Sequence, residues 1–521
     1  MTHEKLDNNA VYGTVQLPDI PAPDKAKTKT FALGCAMLAS MTSILLGYDM
    51  GVMSGATIYI QKDLKITDVQ VEILVGILNL YCLFGSAAAG RTSDLIGRRY
   101  TIVFAAAIFF VGAVVMGTSV NYAHLMVGRF VAGIGVGYAI MIAPVYTAEV
   151  SPASCRGFLT SFPEVFINFG ILLGYVSNFA FRKLSLRLGW RLMLGIGAVP
   201  SVFMGLGVLV MPESPRWLVL QGRLGDARRV LVKTSESKEE AQLRLESIQE
   251  AAGIPLDCTD EVVKPPKIEK GHEVWKELFL HPTPTVRRVL IAAVGIHFFQ
   301  QASGIDAVVL YSPRIFKKAG IVTNTALLGA TMAVGFVKTI TILIATFLLD
   351  RIGRRPLLLS SVGGMILSLI LLAFGLTMID HNPHTKLSWA LALSIAMVLF
   401  SVAFFSIGLG PITWVYSSEI FPLRLRAQGT SVGAAVNRVV SGIISMTFIS
   451  MSKAITIGGG FFLFAGVATV AWVFFFTFLP ETQGRNLEDM DALFGKSRRK
   501  KSQSKDETSN GQVQLENTGP V

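Results

Sequence analysis

Four polar side chains interrupt an apolar stretch that is otherwise long enough to cross a bilayer. The segment 297–313 reads HFFQQASGIDAVVLYSP and carries Gln300, Gln301, Ser303 and Asp306 near its middle. Gly304 and Pro313 weaken a helix on either side of that patch. Each lipid-exposed polar group costs several kcal/mol, so such groups persist only where they face a protein interior or a watery cavity. A broken helix with two amides, a hydroxyl and a carboxylate at its midpoint is suited to holding a hydrogen-bonding guest. Glutamines that merely join helices are the competing reading. The number and variety of groups exceed what packing needs, which favours binding.

A second constellation pairs opposite charges. Asp49 lies in LLGYDMGVMSG with apolar residues on both sides. A lone carboxylate there is costly to ionise, and Arg129, in VGRFVAGIGVG, is its natural partner. Such a pair is either a permanent buried salt bridge or a group that exchanges a proton. Gly133, Gly135 and Gly137 beside Arg129 permit close helix approach. His297, the only histidine placed in a span, either lines the site or packs between helices. The serines show no nucleophile elbow with a matching base, so an enzyme is not indicated. Four cysteines without CxxC or Cys/His spacing indicate neither a metal site nor a disulfide framework.

Positioning these groups takes membrane helices. Hydrophobic residues make up 51% of the 521 and charged ones 16%. Soluble domains carry about 25% charged residues, so with a mean hydropathy of +0.53 the chain reads as an all-α polytopic membrane protein. Apolar runs of about 20 residues mark the spans. They fall near 31–57, 71–90, 100–120, 124–147, 160–181 and 190–211, then near 286–313, 324–349, 356–379, 388–417, 428–452 and 458–479. The expected organisation is a disordered tail over 1–30, a six-helix bundle over 31–211, and a linker over 212–285 with a charged helix outside the membrane. A second bundle follows over 286–479, and a tail over 480–521. The first 30 residues are polar, with Pro18, Pro21 and Pro23, and read as a cytosolic tail rather than a signal peptide.

Short loops rich in arginine set the orientation. Arg91, Arg98 and Arg99 follow the second span, and Arg351, Arg354 and Arg355 follow the eighth. The tails and linker are also basic, so all of these face the cytosol. The loop with Arg182, Lys183 and Arg187 runs against the rule. Much of the net charge of +12 thus belongs to loops and tails beside a bilayer, not to nucleic-acid binding.

The two halves repeat. Asp94-Leu95-Ile96-Gly97-Arg98-Arg99 returns as Asp350-Arg351-Ile352-Gly353-Arg354-Arg355. Glu149 with Arg156 seven residues on returns as Glu419 with Arg426, and Pro212-Glu213-Ser214 returns as Pro480-Glu481-Thr482. Repeated halves imply a pseudo-symmetric pair of bundles with a site between them. The charges at the cytosolic span ends could form interdomain ion pairs that hold one face shut; a static ion-pair belt is the alternative.

With GRTSDLIGRR, YTAEVSPASCRG, YSSEIFPLRLRAQG, PESPRWL, QQASGID, GPITW and PETQGR in order, residues 31–485 resemble the sugar porters of the major facilitator superfamily. Phe162-Pro163-Glu164 makes the chain most similar to plant polyol/monosaccharide proton symporters. The resemblance implies twelve helices in two bundles and a small neutral polyol or monosaccharide held between them. The partners it implies are that guest, protons and the bilayer, with no cofactor beyond the proton gradient as driving force. By the same resemblance Gln300 and Gln301 bind substrate hydroxyls, Trp414 flanks the substrate, and Asn437, Tyr175 and Tyr311 supply further contacts, Tyr311 as an outer gate. Glu164, Asp306 and Lys338 stand where many hexose carriers have neutral amides, giving a charged but nearly balanced cavity. Charge-assisted hydrogen bonds donated to carboxylates suit a guest dense in hydroxyls, unless Lys338 simply neutralises a carboxylate and neither touches substrate. Asp49 becomes the proton carrier and Arg129 its counter-ion, as in the family's proton symporters. The implied location is the plasma membrane, with the vacuolar membrane as alternative and both termini cytosolic. A hexose uniporter and a sugar sensor are the alternatives in function; the short tail after Pro480 argues against the sensor.

Overall fold

The computed structural model describes residues 25–151, 159–255, 261–263, 276–280, 282–382, 384–385, 387–421 and 425–482. Eleven helices among them are long and apolar enough to cross a bilayer. The first six are Thr30–Leu64, Asp68–Ile96, Arg98–Gly117, Tyr122–Val150, Phe162–Phe181 and Leu186–Leu209. The other five, counted here as eighth to twelfth, are Asn324–Leu349, Arg354–His381, Ser388–Ser417, Gln428–Ile455 and Ile457–Phe478. Between the two groups, the segment expected as a seventh span is divided into Pro284–Ala302 and Ile305–Ala319.

The division has a local cause. Gly304 has φ +82°, a left-handed conformation in which a Cβ is strained. The ring of Phe464, in the twelfth helix, lies 2.6 Å from where that Cβ would sit. Pro313 remains inside the second piece, whose first turn holds Asp306. The tenth helix is broken as well, at Gly408, between Ser388–Ile407 and Leu409–Ile420. Pro411 removes one backbone donor just after that break. Eleventh and twelfth helices meet at a kink over Ile455 and Thr456.

Helix packing in the first half rests on backbone contact. A Cβ at Gly47 would meet the Ile167 carbonyl at 1.9 Å, and one at Gly174 would meet the Val52 nitrogen at 2.5 Å. First and fifth helices therefore cross with no side chain between them, which is how apolar helices associate where water supplies no drive. Gly135 and Gly137 do the same for the fourth helix. Their Cβ atoms would lie 2.7 Å from the Phe109 nitrogen and 2.3 Å from the Cys82 carbonyl.

The linker holds more order than one charged helix. Pro215–Leu220, Leu224–Thr234 and Lys238–Ala252 share a small core that includes Leu218, Val219, Leu231 and Leu245. Ser237 caps the third of these, accepting from the Glu240 N–H at 3.1 Å. Arg244 on that helix donates to the carbonyls of Glu149, Val150 and Ser151 at 3.2–3.3 Å. The C-terminus of the fourth helix is capped by a cation from the linker.

The sequence repeat becomes a repeated brace. Glu213 accepts from the backbone N–H groups of Arg98 and Arg99, and Glu481 does so from those of Arg354 and Arg355. Arg98 pairs with Glu149 at 3.1 Å and Arg354 with Glu419 at 3.0 Å. Ser214 and Thr482 hydroxyls donate to those same two glutamates. Burial pushes the Glu213 carboxyl above its ordinary range, against the pull of its backbone donors. Asp94 pairs with Arg98 at 3.0 Å from an exposed position. These pairs, of Asp94, Arg98 and Glu149 in the first half and of Arg354 and Glu419 in the second, lie within one half each. Arg156 lies outside the described residues, as do the side chains of Asp350 and Arg426.

Ionic contacts do cross between the halves at the end remote from the linker. Asp68, capped into its helix by Thr67 and Gln70, meets Arg314 at 3.1 Å and Lys453 at 2.5 Å. Glu72, buried one turn on, accepts from the N–H and hydroxyl of Ser450 at 2.7 and 2.5 Å.

Two outcomes follow. Gly304→Ala adds left-handed strain of about 1–2 kcal/mol and a clash with Phe464. It is expected to lower the melting temperature of the purified protein, whereas Gly466→Ala, with open space around it, should leave it nearly unchanged. Asp68→Asn removes two partly exposed ion pairs worth about 0.2–1 kcal/mol each. It is expected to shift the population parted at this end by about two- to thirty-fold, read as a spin-label distance distribution across the two halves.

Candidate functional site

The Asp49–Arg129 pair is almost wholly enclosed. One guanidinium nitrogen of Arg129 reaches both carboxylate oxygens, at 2.6 and 2.7 Å. Arg129 Nε donates to the Leu74 carbonyl at 3.0 Å and its other terminal nitrogen to the Val75 carbonyl at 3.1 Å. Both residues are at most 2% exposed. Three helices are tied by one arginine, and only one of its contacts is ionic. A buried charge needs this full set of partners to be tolerated.

Gln300 and Gln301 lie on the last turn before the Gly304 break. Gln300 donates to the carbonyls of Leu409 and Gly410, at 3.2 and 3.0 Å, just past the break in the tenth helix. Asn437, on the eleventh helix, donates to Gln300 Oε1 at 2.5 Å and accepts from Gln301 at 3.2 Å. These three amides are at most 5% exposed. Gln301 Oε1 has no partner. The unfilled acceptor and the two interrupted helices around it form a surface ready to hydrogen-bond a guest.

Asp306 sits at the start of the helix that resumes after Gly304, where the helix dipole favours an anion. Ser441 donates a short hydrogen bond to it. Lys338 is buried, with its ammonium 5.8 Å from the Phe405 ring centre. Glu164 is half-buried in the first turn of the fifth helix. Among the described residues no ion pair within 4.0 Å joins Lys338 to either carboxylate.

The aromatic expectations divide. His297 is fully buried, its ring 5.0 Å from Trp414 in an edge-on contact, with both ring nitrogens unpartnered. Trp414 is half-buried. The Tyr175 hydroxyl donates across the halves to the Val309 carbonyl at 2.8 Å. Tyr311 stacks on Phe448 at 5.1 Å and donates to the Ser445 carbonyl at 2.5 Å. In this arrangement both tyrosines bond to backbone.

Four residues of this region escaped the sequence reading: Arg438, Ser441, Asn79 and Glu72. Arg438 donates to Asn437 Oδ1 at 2.6 Å and to Asn79 Oδ1, in the other half, at 3.4 Å. A charge inside the span NRVVSGIISM was the available signal. No group of three or more His, Cys, Asp or Glu residues able to hold a metal occurs among the described residues.

The profile of the family described as "Sugar (and other) transporter" matches residues 35–494. The chain is 69% identical over 491 residues to Polyol transporter 5 of Arabidopsis thaliana, covering 94% of this chain and 91% of that protein. It is 34% identical over 455 residues to the Glucose transporter GlcP of Staphylococcus epidermidis, covering 87% and 95%. Among solved structures it is similar to the proton:xylose symporter XylE bound to 6-bromo-6-deoxy-D-glucose. That match has a TM-score of 0.73 and 26% identity, covering 89% of this chain and 99% of that one. The inward open conformation of the xylose transporter XylE from E. coli gives a TM-score of 0.70 at 26% identity, covering 89% and 100%. With a profile over most of its length, relatives of this closeness and broken helices around buried amides, the chain belongs to the sugar porters of the major facilitator superfamily, a family of membrane transporters and not of enzymes.

Proposed function

We propose that the protein is a proton-coupled symporter of neutral polyols and monosaccharides. It works by alternating access between two six-helix bundles, in the plasma membrane with both termini cytosolic. The observation that carries the coupling is the enclosed Asp49–Arg129 pair, joined at 2.6 Å and backed by two helix carbonyls. The choice of guest rests on relatives named as polyol transporters and on a site of amides and separated charges.

Protonation of Asp49 removes one charge of the pair and leaves Arg129 held by Leu74 and Val75 alone. The arrangement open to the outside then binds substrate, with Gln300, Gln301 and Asn437 as the hydrogen-bonding floor and Trp414 and His297 as an aromatic side. Glu164, Asp306 and Lys338 offer charge-assisted bonds to hydroxyls. The halves rock about this fixed site. The Asp68–Arg314–Lys453 contacts close the outer end, Tyr175 and Tyr311 pack below them, and the braces keep each half rigid. Substrate leaves inside, the proton follows, and the pair re-forms before return. One proton moving down about 100 mV and one pH unit supplies roughly 2.3 plus 1.4 kcal/mol, enough for several-hundred-fold accumulation of a neutral solute.

The deciding measurement is substrate-evoked current in a voltage-clamped cell across polyols and sugars at two external pH values. Inward current that grows with acidity is expected, and electrically silent uptake would make the protein a uniporter. Asp49→Asn is expected to abolish accumulation against a gradient while exchange of labelled for unlabelled substrate continues in proteoliposomes. Gln300→Ala and Gln301→Ala should each weaken substrate binding about three- to tenfold, the worth of a neutral hydrogen bond, in a titration of the purified protein. Unchanged affinity in both would remove these amides from the site.

A further inference from the structure

Arg438 is a buried cation whose partners do not match its charge. It is 8% exposed and lies one residue after Asn437 on the eleventh helix. Its contacts are two amide oxygens, Asn437 at 2.6 Å and Asn79 at the long distance of 3.4 Å, and its Nε has no partner. No ion pair within 4.0 Å is present for it among the described residues. Through Asn437, which bonds both Gln300 and Gln301, it adjoins the amide cluster. A buried guanidinium held only by amides is costly. Such a group persists in a membrane interior where a function retains it.

By formal charge Glu164 and Asp306 balance Lys338 and Arg438, yet among the described residues no ion pair within 4.0 Å joins any two of them. Of these four, Arg438 keeps a buried donor, its Nε, without a partner. An ammonium is a point charge, whereas a guanidinium is a flat fork that donates along two parallel directions. Adjacent hydroxyl oxygens of an extended polyol or a sugar ring present two acceptors at matching spacing. The weak bond to Asn79 is the one that such a diol would replace.

We propose that Arg438 is a specificity-determining residue of the substrate site, its guanidinium fork donating to two adjacent hydroxyl oxygens of the guest. This rests on the reading that the guest is a neutral polyol or monosaccharide. The residue would make the site discriminate by the presence of one particular vicinal pair. Guests that lack either hydroxyl would leave a buried cation unfilled, which is penalised more than a missing neutral bond.

The test pairs protein variants with deoxy substrates. Purified full-length wild type, Arg438→Met and Arg438→Lys are titrated with D-glucitol, myo-inositol, D-glucose and D-xylose, then with single-deoxy analogues of the tightest binder. In the wild type, deletion of either hydroxyl of one adjacent pair is expected to weaken binding about ten- to hundredfold. In Arg438→Met those two penalties should fall below about threefold, while penalties at other hydroxyls keep their wild-type size. A residue acting only through packing would instead weaken every ligand alike, and that result overturns the proposal, as do penalties unchanged in the variant. If Arg438→Met does not purify as a single species, Arg438→Lys is read by the same criterion. It keeps the charge without the fork, so one of the two penalties should collapse; retention of both counts against the proposal. A wild type that binds none of the four parent compounds overturns the functional reading and this inference together. Binding by the wild type with uniform penalties overturns the inference alone.

Discussion

Arginine 129 meets a requirement that the bilayer imposes on any charge buried within it. Its donors have to be answered, and four hydrogen bonds, two to a carboxylate and two to carbonyls of a neighbouring helix, answer them. The carbonyls of Leu74 and Val75 belong to the second helix, which also presents Glu72 and Asn79 to the eleventh. The rod that holds the arginine is thus also the rod that touches the other half. A change in charge at Asp49 alters the load on that rod near Leu74. Asn79 lies about one turn further along it, within reach of Arg438 and, through Asn437, of the glutamines. This is a continuous physical path between the ion pair and the amide cluster.

The amide cluster depends in turn on two interruptions of helix. A continuous seventh helix would use its own carbonyls and would place Asp306 mid-turn, where an anion has no dipole to meet. The break at Gly304 gives that carboxylate a helix start, and the break at Gly408 leaves Leu409 and Gly410 with carbonyls within reach of Gln300. Irregular backbone at this depth is tolerated because it is enclosed by protein, with Ser361 accepting the Leu409 N–H. The glycines that permit backbone contact between first and fifth helices serve the same end. They let the two helices touch backbone to backbone.

Much of this was legible in the residues. Polar groups and Gly304 inside an apolar run announced the broken helix, because hydrocarbon makes such groups conspicuous. The lone acid at Asp49 and the base at Arg129 identified each other for the same reason. The repeated motifs announced repeated structure, but not which contacts they make. Asp, Glu and Arg at span ends are equally consistent with pairs within a half or between halves, and only the fold decides that Glu149 faces Arg98. The break at Gly408 was passed over because the surrounding run is uniformly apolar. Arg438 is less conspicuous in sequence because a single cation beside Asn437 names no acid to pair with. The order in the linker was understated because its core is short and its helices are amphipathic, so composition reads chiefly as charge.

Capture of the Arg98 and Arg99 backbone by Glu213, at the point where the sixth helix hands over to the linker, fastens the exit of the first half to its own middle. Glu481 does the same at the exit of the second. Each half of the chain is therefore fastened to itself where it departs. A pull arriving along the linker, or along whatever follows Thr482, is delivered to that fastening and shared among three helices. It does not peel the last helix away from its neighbours.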